Sequence, residues 1–393
     1  MPFEFANEEP LSRVKVYVRL RPVQKPSPMI HVDDETGTVI VDVLKSSGGG
    51  PPRSTIEQSA FTVDDIIRTT NQQRAFEHCA KEYTDEFLNG YNATIMAFGQ
   101  VGAGKTYTMA GDTKIHVHRG FIQRTIGQVM EEKRAHPEAG IVVYMSYLEI
   151  YEERMYDLLQ QRSTDLMIIE ENGLIDIRGL AKIRVETEAQ AIKWFNEGEK
   201  QRSYGQHLLN QQSSRSHTFF TLYMERRVGR FHTEHDTIVA KLTLVDLAGA
   251  ERLKKTNVER GGRMRKEACT INKSISYLET AIYALRVGQN YVPFRQGKAS
   301  TLLKESLGGN CKTMIMICLW LEDCFYDETV NSLRFAQKVK FLKTYPFRNK
   351  KLDCATATKR FHINNYTSFT TNCKSSTRSS SEGCVAGSAW LIF

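Results

Sequence analysis

Three short segments hold residue types that together could bind and split a phosphoanhydride. The first, Gly99-Gln100-Val101-Gly102-Ala103-Gly104-Lys105-Thr106, has the spacing Gly-x4-Gly-Lys-Thr. Its glycines let the backbone curl, so that successive N–H groups point inward at phosphate oxygens. Lys105 would set a cation against the β- and γ-phosphates, and the Thr106 hydroxyl would ligate Mg²⁺. A helix starting at the end of such a loop adds positive potential. The alternative is a glycine-rich turn that merely contains Lys-Thr, and it leaves the other two segments unexplained.

The second segment is Asn210-Gln-Gln-Ser213-Ser214-Arg215-Ser-His217 and the third Leu244-Val-Asp246-Leu-Ala-Gly249-Ala-Glu251-Arg252. Adjacent hydroxyls at Ser213 and Ser214 suit Mg²⁺, a phosphate oxygen and a water at once. An apolar strand that ends in Asp246 suits a carboxylate in the second shell of Mg²⁺. Gly249 lets its backbone N–H approach a terminal phosphate with no Cβ in the way. Arg215 and Glu251 would pair when the two loops close, shutting out water and aligning the nucleophile.

These segments need an α/β frame. Ala93–Phe98 is a short apolar run suited to a central strand buried on both sides, directly ahead of the first segment. Further strands are predicted at Val14–Leu20, Ser59–Val63, Ile141–Tyr151, Thr218–Val228, Ile238–Asp246 and Met314–Trp320. Thr70-Asn-Gln-Gln73 reads as the start of a helix whose core face is Phe76, Cys79, Ala80, Tyr83 and Phe87. Other helices are predicted over Glu188–Gln201 and Asp327–Phe341. A stripe of Ile271, Ile275, Leu278, Ile282 and Leu285 marks one more helix, stopped by Gly288. Strands and helices mixed over about 340 residues imply one large α/β domain.

The 393-residue chain carries a net charge of +8, unevenly spread. Between Ala250 and Asn310 there are 12 Lys/Arg and 5 Asp/Glu, a basic stretch suited to an anionic partner. The eight cysteines show no CxxC pair and no metal-ligand spacing, and no run of eighteen apolar residues exists. The acidic start MPFEFANEEP lacks an apolar h-region, so a cytosolic, reduced setting without a membrane span is expected. Residues 344–393 are basic and rich in Ser and Thr without persistent periodicity, which predicts a disordered tail. The division expected is an extension over 1–12, the domain over 13–343 and the tail over 344–393.

GQVGAGKTYTMAG, NQQSSRSH, LVDLAGAER, SYLEIYEERMYDLL and SLGGNCKT, in this order over residues 13 to about 343, resemble the motor domain of kinesins. The resemblance implies a P-loop NTPase of kinesin type, with a central eight-stranded, mostly parallel sheet flanked by helices on both faces. It implies ATP as substrate, Mg²⁺ as cofactor, and microtubule-stimulated hydrolysis coupled to motion, plus-end directed for a motor at the N-terminus. Arg19, Arg21 and Pro22 match the Arg-x-Arg-Pro segment that borders the adenine, with Tyr107 placed to stack on it. Ser213, Ser214 and Arg215 fall on switch I, Gly249 and Glu251 on switch II, and Asn272 begins the Asn-Lys-Ser segment of the switch II helix. His118-Arg-Gly120, Pro293-Phe-Arg-Gln296, Ser306–Cys311 and Lys343-Thr-Tyr-Pro346 resemble the kinesin-9 branch, associated with cilia and flagella.

The resemblance also implies that the basic stretch faces the acidic microtubule, through Lys254, Lys255, Arg260, Arg263, Arg265, Lys266, Arg295 and Lys298. A nucleic-acid partner is disfavoured, since interleaved aromatics and a reading helix are missing. A GTPase is disfavoured by the lack of Asn-Lys-x-Asp. Val101 and Ala250 stand where kinesins usually have Thr and Ser, Gln123 replaces a usual Pro, and Gly297-Lys-Ala-Ser-Thr301 degrades the family's Ser-Lys-Leu-Thr-Arg. The phosphate-contacting positions are intact, so hydrolysis is expected, and the degraded 297–301 segment makes a non-motile microtubule-binding ATPase the alternative to a motor. Without a coiled coil, the chain is expected to be a monomer.

Overall fold

The structure, a computed structural model, describes residues 12–46, 54–112, 115–171, 174–208, 215–228, 236–250 and 262–351. Ten strands form the main sheet: β1 (Lys15–Leu20), β2 (Asp65–Ile67), β3 (Ala93–Gly99), β4 (Val142–Tyr151), β5 (Arg154–Asp157), β6 (Ile183–Val185), β7 (His217–Val228), β8 (Asp236–Asp246), β9 (Lys312–Leu319) and β10 (Lys350–Lys351). Eight lie side by side in the order β6-β4-β7-β8-β3-β9-β1-β2, while β5 pairs with β4 and β10 with β8. The run from β8 through β3, β9 and β1 to β2 is parallel, and the β6-β4-β7-β8 side is antiparallel.

All seven residues of β3 are buried. Alternate side chains supply opposite cores: Ile95 and Ala97 join one cluster, Met96 and Phe98 the other. The first cluster is covered by helices α1 (Lys81–Leu88), α2 (Lys105–Met109), α3 (Phe121–Ala135) and α4 (Glu188–Leu208). The second is covered by α5 (Gly262–Arg286) and α6 (Tyr326–Lys340), with a three-stranded antiparallel sheet of Ile30–Asp33, Thr38–Ser46 and Ser54–Thr62. Phe98 of β3 and Phe335 of α6 stack at 3.8 Å between ring centres.

Local signals act at or beside where they were read: the capping box expected at Thr70–Gln73 is replaced by a cap one residue on, at Asn71. Asn71 caps the helical run from Gln72 by accepting the Arg74 N–H at 3.0 Å, and Phe76, Cys79, Ala80, Tyr83 and Phe87 are all buried. One turn of that run, Phe76–Ala80, widens to a π-helix. Gly288 ends α5 in the left-handed region at φ 68°. Helix α4 runs seven residues past the predicted end at Gln201, because its C-terminal turns are polar and break the apolar period. Among the described cysteines, Cys79, Cys311 and Cys318 are buried thiols and Cys324 is exposed. No helix among the described residues is long and apolar enough to cross a membrane.

The expected tail boundary at Thr344 needs correction, since residues 344–351 are packed on the domain. Lys343–Thr344 pairs with Ser12–Arg13. Tyr345 N–H then donates to Gly309 O at 2.9 Å, Phe347 N–H to Asn310 Oδ1 at 2.7 Å and Asn349 N–H to Gly90 O at 3.0 Å. Asn349 is 8 % exposed and forms side-chain bonds with Asn92 and Asn310. Lys350–Lys351 pairs with Ile238 and Thr237 of β8. These bonds are mostly through backbone and amide groups, so no hydrophobic period announces them. Residues 352–393 and 1–11 lie outside the described residues.

Candidate functional site

The Gly99–Thr106 loop joins the end of β3 to α2, in the strand–loop–helix setting its composition implies. Gly102 and Gly104 take φ of 78° and 103°, which an L side chain rarely adopts. A Cβ on Gly99 would lie 2.3 Å from the Cys318 carbonyl oxygen, so the loop can leave the sheet only with glycine there. A Cβ on Gly104 would meet nothing within 4 Å, so that side of the curl is open. The buried Gln100 side chain has no partner for either amide atom among the described residues.

Lys105 is 6 % exposed and its ammonium donates to the carbonyls of Gly99 and Gln100 at 2.9 and 2.8 Å. The lysine cation is therefore held inside the curl. Thr106 Oγ1 donates to Asp246 Oδ2 at 2.6 Å, which joins the first predicted segment to the third. Asp246 Oδ1 is buried with no hydrogen-bond partner among the described residues. One hydroxyl and one carboxylate with a spare oxygen form a hard-oxygen set that fits a hydrated Mg²⁺. Thr106 would hold that ion directly and Asp246 through its water.

Arg202 of α4 donates to the same Asp246 Oδ2 at 3.2 Å and lies 3.7 Å from Glu199. Glu199 in turn accepts the hydroxyl of the buried Tyr147. Burial opposes the Arg202 charge, but Glu199, Tyr147 and Asp246 outweigh it and raise its pKa above the ordinary value. Sequence reading missed Arg202, and no spacing rule could have linked it to an aspartate 44 positions away on another element.

His217, the last residue of the second segment, opens β7 and is 4 % exposed. Its Nδ1 accepts the backbone N–H of Ala248 at 3.0 Å, and its Nε2 lies 2.8 Å from Ser274 Oγ on α5. An accepting Nδ1 leaves the proton on Nε2, which then donates to Ser274. Burial, followed by the charge of Lys105, lowers the imidazole pKa to about 4. Gly249 is buried beside this contact, and the Ala250 N–H donates to Gly99 O at 3.3 Å. The loop after β8 thus runs against the phosphate loop.

The predicted base-binding residues separate into two kinds. Arg19 is 6 % exposed and donates to Gln72 Oε1 at 2.8 Å and Thr108 Oγ1 at 3.0 Å. Burial lowers its pKa, and its guanidinium sits 5.7 Å from the Tyr107 ring centre, so it supports the loop from below. Arg21 and Pro22 are exposed, as is Tyr107 at 39 %, whose hydroxyl lies 3.2 Å from His118 Nδ1.

Arg215 is half-buried at the entrance to β7. Ser213, Ser214, Glu251, Lys254, Lys255 and Arg260 lie outside the described residues. Arg263, Arg265 and Lys266 fall on the first turns of α5, where only the backbone is described. Arg295 is paired with Glu170 at 2.8 Å, which Lys304 also reaches at 2.5 Å, and this bond raises the Arg295 pKa. The Lys298 backbone N–H donates to Glu153 as the first residue of the short helix Lys298–Leu302.

The profile described as the kinesin motor domain matches residues 19–342. Kinesin-like protein KLP1 of Chlamydomonas reinhardtii is 40% identical over 352 residues, 88% of this chain and 45% of its own length. Kinesin-like protein KIF9 of Mus musculus is 40% identical over 349 residues, 87% of this chain and 44% of its own length. The chain spans about half the length of these curated relatives. Among solved structures, one described as a fast kinesin superposes with a TM-score of 0.76 at 32% identity, covering 87% of this chain and 95% of that one. With the phosphate loop, His217 and Asp246 gathered at one end of the sheet, the chain belongs to the kinesin motor-domain family, and its likeness falls on the kinesin-9 branch.

Proposed function

We propose that this chain is an ATP-driven microtubule motor that binds Mg·ATP at the Gly99–Thr106 loop and couples its hydrolysis to plus-end-directed movement. The observation that carries the reading is the Thr106–Asp246 bond of 2.6 Å beside the buried Lys105, which assembles a phosphate and Mg²⁺ site from two distant segments. Mg²⁺, when bound, neutralises charge on the phosphate oxygens and orients them. The N–H groups of Gly99 to Gly104 and the Lys105 ammonium bind those oxygens, while Arg21, Pro22 and Tyr107 border the base. Ser213 and Ser214 contribute hydroxyls, and Ser214 joins Thr106 as a metal ligand. Gly249 presents its N–H to the terminal phosphate, and Arg215 with Glu251 excludes bulk water and positions the attacking one.

The His217 contact gives a route outward. The loop after β8 and helix α5 are tied to the same imidazole, so displacement of Gly249 is felt by α5. The basic residues from Lys254 to Lys266, with Arg295 and Lys298, then face the acidic filament. The motor unit is taken as residues 13–351, with the segment from Leu342 as the element that docks and undocks. A cytoskeletal place, in a cilium or flagellum, accords with the kinesin-9 likeness.

The test is the ATPase rate of wild type and Glu251→Ala with and without microtubules. Stimulated turnover should vanish in the variant while ATP still binds, and near-normal turnover would refute the reading. The Arg295–Glu170 pair favours a second reading, a non-motile microtubule-binding ATPase, because it diverts one track-facing cation. Nucleotide-dependent binding without displacement in a gliding assay would select it.

A further inference from the structure

Trp320 follows β9 and lies on the open rim of the phosphate loop. Its ring covers the Arg21 guanidinium at 3.8 Å from Cζ to the ring centre. Arg21 Nη1 donates to the carbonyl oxygen of Gly102. The same indole presses on Gly102 itself: a Cβ there would lie 2.7 Å from Trp320 Cζ3 and 3.4 Å from Arg21 Nη1. Phe325 closes the outer side of the ring at 4.1 Å, and Thr329 Oγ1 of α6 donates to the Trp320 carbonyl at 3.0 Å.

The indole N–H is buried and has no acceptor among the described residues. Buried tryptophans normally find one, so this ring is not placed for its polar handle. What it supplies is a broad π face against a guanidinium and a flat wall against a glycine at φ 78°. Arg21 is otherwise a long exposed side chain with many rotamers. Packed under Trp320 it holds one, and Gly102 is gripped from two sides.

We propose that Trp320 is a positioning residue for nucleotide binding, which braces the phosphate loop through Arg21 and Gly102 before nucleotide arrives. The inference rests on the reading that the Gly99–Thr106 loop binds nucleotide. Because the brace acts on the loop's resting shape, it governs affinity more than the chemical step. Its indole emission also reports occupancy of the loop.

The experiment measures MgADP affinity by calorimetry, and ATPase KM and kcat, for wild type, Trp320→Phe, Trp320→Leu and Trp320→Ala. Trp320→Ala and Trp320→Leu should each weaken MgADP and raise KM about two- to fivefold, the scale of a cation–π contact at an exposed arginine, with kcat within about twofold. Trp320→Phe, which keeps a π face, should restore most of the affinity. In a Trp194→Phe/Trp390→Phe background, where Trp320 is the remaining tryptophan, MgADP should shift the emission of the folded protein. Equal affinities for Trp320→Leu and Trp320→Phe, or an emission blind to MgADP, would overturn the brace. Lys105→Ala should remove MgADP binding in every background. Wild type that binds no MgADP defeats the nucleotide reading itself, whereas wild type that binds it and Trp320 variants that match it defeat the brace alone.

Discussion

His217 Nε2 lies 2.8 Å from Ser274 Oγ, joining the first residue of β7 to the middle of α5 through a neutral imidazole. Its other nitrogen holds the Ala248 N–H, so one ring touches both the start of the loop that contains Gly249 and the middle of α5. Ser274→Ala should leave ATP affinity near wild type while lowering microtubule stimulation several-fold, about the effect of losing one buried hydrogen bond of 1–2 kcal/mol. Steady-state ATPase against microtubule concentration checks this, and unchanged stimulation would show that the contact carries no signal.

The same imidazole makes stability depend on pH. Its folded pKa of about 4 lies below the ordinary imidazole value of 6.5, so the unfolded chain takes up a proton first as pH falls. Its contribution is constant above about pH 6.5, declines toward pH 4 and is flat below, a total of about 3 kcal/mol for this fully buried group. Urea unfolding of wild type and His217→Gln between pH 7.5 and about 4.5 should show the steeper acid loss in wild type. Parallel slopes would contradict the assignment.

Asp246 serves Thr106 and Arg202 at once. Asp246→Asn leaves Arg202 buried beside a neutral amide, at a cost of about 3 kcal/mol in stability. It should also raise the Mg²⁺ concentration needed for half-maximal ATPase by at least about tenfold. Chemical denaturation and a Mg²⁺ titration read the two effects separately. Loss of stability without a change in Mg²⁺ dependence would make Asp246 purely structural.

Arg295 and Lys304 share Glu170 on the hairpin of Met167–Glu171 and Leu174–Arg178. Glu170→Gln should release the exposed Arg295 and tighten microtubule binding about two- to threefold at low salt, with the gain fading near physiological salt. Co-sedimentation at two ionic strengths decides the matter. An equal gain at both would point to a shape change in place of freed charge.

The sheet and the phosphate loop were legible because their signals are local. Ala93–Gly99 is apolar but for Thr94, and glycine spacing alone marks the turn that follows. Asp246 was legible as the polar end of an apolar strand. Arg202 and Trp320 were not, since each acts through a neighbour distant in sequence: Asp246 for one, Arg21 for the other. Arg19 and Arg21 look equivalent in the chain and by strand alternation would share a face, but β1 ends at Leu20, so Arg19 stays beneath the loop while Arg21 leaves the strand for its rim. The segment 344–351 read as tail because backbone bonds and asparagine amides, with no apolar stripe, hold it down.

Among the described side chains of that segment, Asn349 is the last with bonds into the domain interior, and the backbone of Lys350–Lys351 beyond it pairs with two residues of β8. Lys350–Lys351 lies on the same side of β8 as β3, in the lane that β3 leaves free below Ala93. Tension applied to the chain past residue 351 therefore loads these contacts one after another. Lys351 and Lys350 peel first at low force, and Asn349 then resists as a single tight catch. The segment yields like a zipper, with the far end of β8 loaded first through Lys350–Lys351 and the Asn349 bonds to Gly90 and Asn92 loaded next.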